Sequence, residues 1–177
     1  YILEKLELHD TSLAKKVADN FGVSLTTVYR YIHELEDEGL IVKENNKYKL
    51  LETQEIKTYH TNQTLEEDKI FKEMMESVVA KHPDNVRKIW QYAFTEMMNN
   101  AIDHANAKMI TVYIAYNSAS TKVIIDDDGV GIFSKIKEYY GYDSLDDAVS
   151  ELFKGKLTTD SENHTGEGIF FLSLIHI

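Results

Sequence analysis

The first fifty residues carry three stretches with apolar residues at helical spacing, followed by two short stretches typical of strands. Thr11 or Ser12 would cap the second helix, which ends at Gly22, and Ser24 would cap the third, which ends at Gly39. The predicted order is a helix over 2–8, these two helices, and strands over 40–42 and 48–50 joined by a turn at 44–47. The predicted inward faces are Leu13, Val17 and Phe21 in the second helix and Leu25, Val28, Ile32 and Leu35 in the third.

The same segment contains a series of short motifs in a characteristic order. They are Leu13-Ala14, Val17-Ala18, Phe21-Gly22-Val23-Ser24, Val28-Tyr29-Arg30, Leu35 and Gly39-Leu40-Ile41. With these motifs, residues 13–50 resemble the winged helix-turn-helix domains of bacterial transcription regulators.

The resemblance implies that the third helix enters a DNA major groove. Away from the apolar stripe, Thr26, Arg30 and His33 could reach base edges or phosphates. Lysines on the wing and second helix could contact the backbone: Lys47, with Lys43, Lys49, Lys15 and Lys16. Residues 1–52 nevertheless hold seven Lys and Arg against ten Asp and Glu. The alternative that this module binds protein or dimerises therefore stays open.

A change in composition at residues 52–54 suggests a domain boundary. We predict a winged-helix domain over 1–52, a linker with a possible edge strand over 53–64, and a second domain over 57–171. A helix is predicted over 65–80, with this buried side: Ile70, Phe71, Met74, Val78 and Val79.

A second helix, from about 86 to 105, has an unusual polar face. Glu96, Asn100 and Asp103 fall on one side at 3.6 residues per turn. The opposite side is apolar: Trp90, Phe94, Met97, Met98, Ala101, Ile102 and Ala105. An Asn oxygen can ligate a hard cation, and a carboxylate one turn away can orient or deprotonate a water. A solvated helix face is the alternative.

Two glycine-containing segments follow predicted strands over 109–116 and 121–126, which are joined by a turn at 117–120. Period two places Asp127 in one row with Val123 and Ile125, so its carboxylate would need a donor, such as an adenine amine. Gly129-Val130-Gly131 comes next, and Thr165-Gly166-Glu167-Gly168 opens a later helix. Bare amides at a helix start suit phosphate.

Taken in order, these three motifs make residues 57–171 resemble the Bergerat-fold ATP-binding domain of gyrase, heat-shock chaperones, sensor histidine kinases and anti-sigma serine kinases. The resemblance implies an α+β chain: a winged helix, then a C-terminally truncated α/β sandwich, its mixed sheet covered by helices on one face. It also implies a lid over 133–163, with phosphate contacts among Lys154-Gly155-Lys156 and Thr158-Thr159.

The resemblance also implies a role for each matching residue. Asp127 would accept from the adenine amine, with Gly129 and Gly131 close to the base. Asn100 would hold Mg²⁺ against the ATP phosphates, and Glu96 would orient or activate the attacking group. The remaining ATP-binding positions are Asp103, Thr165, Gly166 and Gly168.

Composition narrows the setting. There is no cysteine, the net charge is −11, and no apolar run is long enough for a membrane span. We therefore expect a cytoplasmic protein without disulfides. The chain begins at Tyr1, which suggests a piece of a longer protein. Residues 172–177 match one reading frame of a sequencing adapter, so we expect native sequence to end near Phe171.

The first functional hypothesis is a DNA-binding regulator whose winged helix is switched by Mg-ATP binding or hydrolysis, for instance through dimerisation. The alternative is a serine kinase of the anti-sigma type that acts on a partner regulatory domain, with the winged helix as a protein-interaction module. An inert nucleotide-binding scaffold is a third. No phosphoacceptor-histidine motif is visible, so a self-phosphorylating histidine kinase is not expected.

Overall fold

The computed structural model describes residues 1–7 and 12–153. The first elements are α1 (Ile2–Glu7), α2 (Leu13–Phe21), α3 (Leu25–Asp37), β1 (Ile41–Glu44) and β2 (Lys47–Leu50). The next are β3 (Thr53–His60), α4 (Glu67–Met74), α5 (Glu76–Val79), α6 (Asp84–Asn99) and a π-helix (Asn100–His104). The last are β4 (Met109–Tyr116), β5 (Thr121–Asp127), α7 (Ile132–Tyr140) and α8 (Leu145–Phe153). This is an α+β chain with an N-terminal winged helix, as the sequence predicts.

Two compact units divide the chain. The first, which we call the winged-helix unit, comprises Tyr1–Glu55 and Ile114–Val123. The second unit comprises Ile56–Tyr113 and the residues from Ile124 onward. The end of the β4–β5 hairpin thus belongs to the winged-helix unit, where Glu7 accepts hydrogen bonds from Asn117 Nδ2 (3.1 Å) and Ser120 Oγ (2.7 Å). The domain limits stay a prediction.

Side chains from all three helices and β1 form the winged-helix core: Leu6, Leu13, Val17, Val28, Ile32 and Ile41. Two residues predicted to face inward do not, because Phe21 is 60% exposed and Leu25 is 52% exposed. Phe21 is the last residue of α2 and Leu25 the first of α3. The chain turns sharply at Gly22 (φ +62°) between them, so both side chains flank the turn instead of the core.

The helix predicted over 65–80 is present as two helices, α4 and α5, separated at Met75. All five residues predicted to be buried there are buried: Ile70, Phe71, Met74, Val78 and Val79. Met75 at the break is also fully buried. Met75 lies four residues after Phe71 and four before Val79, so helical spacing also places it on this buried side.

Strands β3, β4 and β5 form one sheet in that order. Both pairs are antiparallel: Thr61 N donates to Lys108 O just past the end of β3, and Asn117 N donates to Ser120 O at the β4–β5 turn. Alternate residues of β4 are fully buried: Ile110, Val112 and Ile114. Since these described strands pair antiparallel, the mixed sheet stays a prediction. No helix among residues 1–7 and 12–153 is long and apolar enough to cross a bilayer.

Candidate functional site

Helix α3 is the element that would carry the DNA contacts. Residues within or next to α3 set both where it begins and which side of it faces the core. Ser24 caps its first turn, where its Oγ accepts a hydrogen bond from Thr27 N at 3.2 Å. Val28 and Ile32 are buried against the winged-helix core. The buried pair fixes which side of α3 faces away from the protein.

On that outward side, Thr26, Arg30 and His33 are all exposed, as predicted. Two of them already have acidic neighbours on the same helix. Arg30 Nε lies 3.6 Å from Glu34 Oε1, and His33 Nδ1 lies 3.4 Å from Glu36 Oε2. Exposed ion pairs of this kind contribute little to stability. The basic side chain can therefore readily leave the carboxylate for a DNA phosphate. The i,i+4 spacing of Arg30 and Glu34 could have revealed the first pair in the sequence.

The wing is the hairpin β1–β2, whose turn residues Asn45 (φ +48°) and Asn46 (φ +62°) have the backbone of a two-residue hairpin turn. Lys47 follows the turn and is exposed. Lys49 Nζ lies 2.9 Å from Glu44 Oε2 across the hairpin, and the Lys43 ammonium lies 5.2 Å from the centre of the Tyr48 ring. The wing therefore presents lysines, one of them partly neutralised.

The second candidate site begins on α6, where Glu96 and Asn100 are both half-buried. On the predicted apolar side, Phe94 and Met98 are buried, whereas Met97 is 42% exposed. That face of α6 is therefore not fully covered in the described part of the chain.

At Asn100 the helix widens into a π-helix that ends at His104. A π-turn rotates later residues away from the positions that a regular α-helix would give them. The spacing argument that joined Asp103 to Glu96 and Asn100 therefore does not hold beyond Asn100. Short π segments are frequent at functional sites.

The end of this helix contacts the loop that follows β5. Val130 N donates to Ala105 O at 2.9 Å, and a Cβ added to Gly129 would lie 2.1 Å from the same oxygen. Only glycine fits at position 129. The structure thus brings the stretch that ends at Ala105 next to the Gly129-Val130-Gly131 loop, 24 residues later.

Two neighbouring carboxylates at the end of β5 have different surroundings. Asp127 is half-buried, in one row with Val123 and Ile125 as predicted, and its Oδ1 accepts from Gly129 N at 2.9 Å. Asp128 Oδ1 accepts from Lys108 N (2.7 Å) and Met109 N (2.9 Å). These two backbone donors, Met109 first, hold the pKa of Asp128 below its ordinary value. Asp128 therefore ties β5 to β4, a role that no local pattern indicates.

Several predicted residues lie outside the described part of the chain: Thr165, Gly166, Gly168, Lys154, Lys156, Thr158 and Thr159. Of the predicted lid, the described part contains α7 and α8. Within residues 1–7 and 12–153, no three His, Asp or Glu side chains cluster as a metal site. A cavity of about 550 Å³ in the second unit lies between α4 and α6, lined by Asp68, Phe71 and Arg87 among others, away from Glu96 and Asp127.

A polar cluster that no local sequence pattern predicts lies on the exposed side of the second unit. Glu73 accepts from the Lys57 ammonium and from the Tyr59 hydroxyl, the latter at 3.1 Å. Partial burial, and then the Glu73 charge, raise the pKa of Tyr59. The hydrogen bond from Lys57 lowers the pKa of Glu73. The partners lie 14 and 16 residues apart, so only the packing of β3 beside α4 brings them together.

Comparison with known proteins bears on the N-terminal segment. Residues 1–49 match a family model described as an HTH domain. Neither the curated proteins nor the solved structures gave a match. The family match ends before Glu96 and carries no information about the second candidate site. The winged-helix unit therefore contains a helix-turn-helix domain, the fold of many DNA-binding regulators.

Proposed function

We propose that this protein is a DNA-binding transcription regulator that is switched by Mg-ATP bound in its second unit. The observation that carries the DNA-binding part is the helix-turn-helix match over residues 1–49, whose third helix exposes Thr26, Arg30 and His33. The ATP-binding part has a separate basis. It depends on the contact between the Ala105 end of the Glu96 helix and the loop at Gly129.

DNA contact would be confined to one face, since the charge balance of residues 1–52 is acidic. Arg30 and His33 would exchange their helix carboxylates for phosphates or base edges, and Lys47 would add a phosphate contact from the wing. Each phosphate contact releases counterions, so binding should weaken steeply as salt is raised.

Fluorescence anisotropy with labelled genomic fragments at low salt tests this proposal. Arg30→Ala should weaken binding about tenfold, as expected for one lost charged contact. Arg87→Ala is a matched control, because Arg87 is also an exposed arginine 3.6 Å from a carboxylate of its own helix, Asp84. Absence of binding by the unaltered chain, or equal effects of both substitutions, would contradict DNA binding through α3.

The donor chemistry of the second site fits Mg²⁺ and a nucleotide. Asn100 offers an amide oxygen to Mg²⁺, which typically takes one or two protein oxygens together with substrate phosphates. The Glu96 carboxylate, one turn earlier, would orient or activate the attacking group. Asp127 keeps one carboxylate oxygen beyond the one bonded to Gly129 N, and this oxygen could accept from an adenine amine. When bound, the metal would neutralise phosphate charge.

Calorimetry with Mg-ATP and Mg-GTP tests the nucleotide site. ATP should bind more tightly than GTP, and Asp127→Asn should remove most of that preference. Asn retains an acceptor for Gly129 N, so the loop should be preserved. Asp126→Asn is the control, since Asp126 is the exposed neighbour on β5. Equal affinities for ATP and GTP would contradict the adenine contact.

The fate of the ATP γ-phosphate distinguishes a hydrolysing switch from a serine kinase. Radiolabelled ATP should yield free phosphate if the unit is a hydrolysing switch, or a labelled partner if it is a serine kinase. Glu96→Ala should abolish turnover and leave nucleotide binding intact. DNA affinity measured with and without Mg-ATP tests the switch itself, and identical affinities would refute it.

A further inference from the structure

The winged-helix unit contains a cavity of about 600 Å³ that the proposed DNA contacts do not use. Its walls come from α1, α2 and the C-terminal half of α3. Six residues define its character: the aromatic Tyr1, Phe21 and Tyr31, the apolar Leu35, and the acidic Glu34 and Glu38. Its volume is in the range of sites that enclose one small organic molecule.

The aromatic wall is unusually exposed for apolar side chains. Phe21 is 60% exposed, and its ring stands edge-on to the Tyr1 ring with centroids 5.2 Å apart. Cations already lie near two of the rings: Lys5 is 5.3 Å from the centre of Tyr1, and the Arg30 guanidinium is 5.2 Å from that of Tyr31. Aromatic faces attract cations. A cation with an apolar body would gain both this attraction and apolar contact with the rings.

The acidic wall carries the complementary charge. Glu34 lies in the last turn of α3, and Glu38 directly follows the end of the helix, where its backbone N–H donates to Glu34 O; both residues line the cavity. Glu38 makes no ion pair within residues 1–7 and 12–153. DNA would be repelled here. A second copy docked through the same face would bring like charges together.

We propose that this cavity binds a small organic cation with an aromatic body, whose charge is held by Glu34 and Glu38. Because Glu34 is also the partner of Arg30, such a cation would compete for Glu34 and release Arg30. This second step rests on the proposed DNA-binding function. Through this step, a ligand in the cavity would change how readily Arg30 of α3 binds DNA.

Calorimetry on the 177-residue chain tests the site with two probes of the same shape and opposite charge, tetraphenylphosphonium and tetraphenylborate. The cation should bind and the anion should not. Glu34→Gln and Glu38→Gln should each weaken cation binding about fivefold, and Phe21→Ala by a similar factor. Asp37→Asn removes the same charge from α3 outside the cavity lining and should have no effect.

Equal binding of both probes, no binding of either, or an Asp37→Asn effect as large as that of Glu38→Gln would overturn the cation site. Circular dichroism identifies any variant that fails to fold, and the substitutions at exposed Glu38 and Phe21 should both fold.

Anisotropy with labelled DNA then tests the link to Arg30. Tetraphenylphosphonium should raise DNA affinity about threefold, as expected for release of one exposed ion pair. Glu34→Gln should show that gain without the cation, and Arg30→Ala should not show it. If the chain does not bind DNA at all, the proposed function and the Arg30 step fall together, whereas calorimetry still decides the cation site.

Discussion

The two units collect their candidate functional side chains over very different distances along the chain. In the winged-helix unit, Thr26, Arg30 and His33 lie on two turns of one helix, whose cap and buried face are part of the same segment. In the second unit, Glu96 and Asp127 lie on different elements, joined where Ala105 meets the loop at Gly129. The first site follows from a local period, and the second depends on a long-range contact.

This difference predicts how each unit fails. A substitution at the Ala105–Gly129 contact should damage the second unit although both residues are in loops or helix ends. In the winged-helix unit, only truncation of a buried side chain of α3 should lower the free energy of unfolding as much. Substitutions at the ends of its helices should lower it less.

Gly129→Ala is expected to lower the free energy of unfolding of the second unit by about 3 kcal/mol or more. The new Cβ would lie 2.1 Å from Ala105 O, and a backbone atom cannot yield as a flexible side chain can. Urea unfolding followed by the fluorescence of Trp90, the sole tryptophan, measures the change in this unit.

Gly22→Ala is the matched control for that substitution. Gly22 has φ +62° but nothing within 4 Å of an added Cβ, so only backbone strain of about 1 kcal/mol is expected. Equal costs for the two substitutions would show that contact with Ala105 is not what requires glycine at 129.

Ile32→Ala is expected to destabilise the winged-helix unit by about 3 kcal/mol, because it leaves a cavity where a fully buried side chain lay. Leu25→Ala should cost about 0.5 kcal/mol or less, since Leu25 is exposed. Chemical unfolding followed by circular dichroism measures both. A large cost at Leu25 would restore the sequence-based prediction that it belongs to the core.

Ser24→Ala is expected to cost about 1 kcal/mol by removing the acceptor for Thr27 N at the start of α3. Ser24→Asp keeps a capping acceptor and should restore most of that stability. Thermal melts of the three proteins give the comparison, and an Asp variant no more stable than the Ala variant would contradict a capping role.

Asp128→Asn is expected to change the pH dependence of stability more than stability itself. The folded-state pKa of Asp128 lies below its ordinary 3.8, so its carboxylate stabilises the fold above pH 3.8. That contribution is lost as the pH falls through the folded-state pKa. Urea unfolding between pH 5 and the acid limit should show a shallower decline for Asp128→Asn than for the control Asp126→Asn, and identical slopes would contradict the backbone contacts.

The accuracy of the sequence-based predictions follows the same division. Strand β4 over 109–116, the turn after it and the row Val123, Ile125 and Asp127 were predictable, because alternation and turn residues act over a few positions. The wing was predictable from its turn residues, and the buried side of α4 and α5 from the helical period, which also acts over a few positions. Phe21 and Leu25 were assigned wrongly, since a helical period says which side is apolar but not how far neighbouring elements cover it.

By itself, the sequence determined the local elements: the capped helix α3 with its outward Thr26, Arg30 and His33, the hairpin of the wing, and the strands β4 and β5. Only the tertiary structure decided that Asp128 ties β5 to β4 and that Gly129 lies against Ala105. It also decided that Glu73 joins Lys57 and Tyr59. The physical reason is that propensities and periods act over a few residues, whereas these contacts join positions 14 to 24 residues apart and form only once separate elements have packed together.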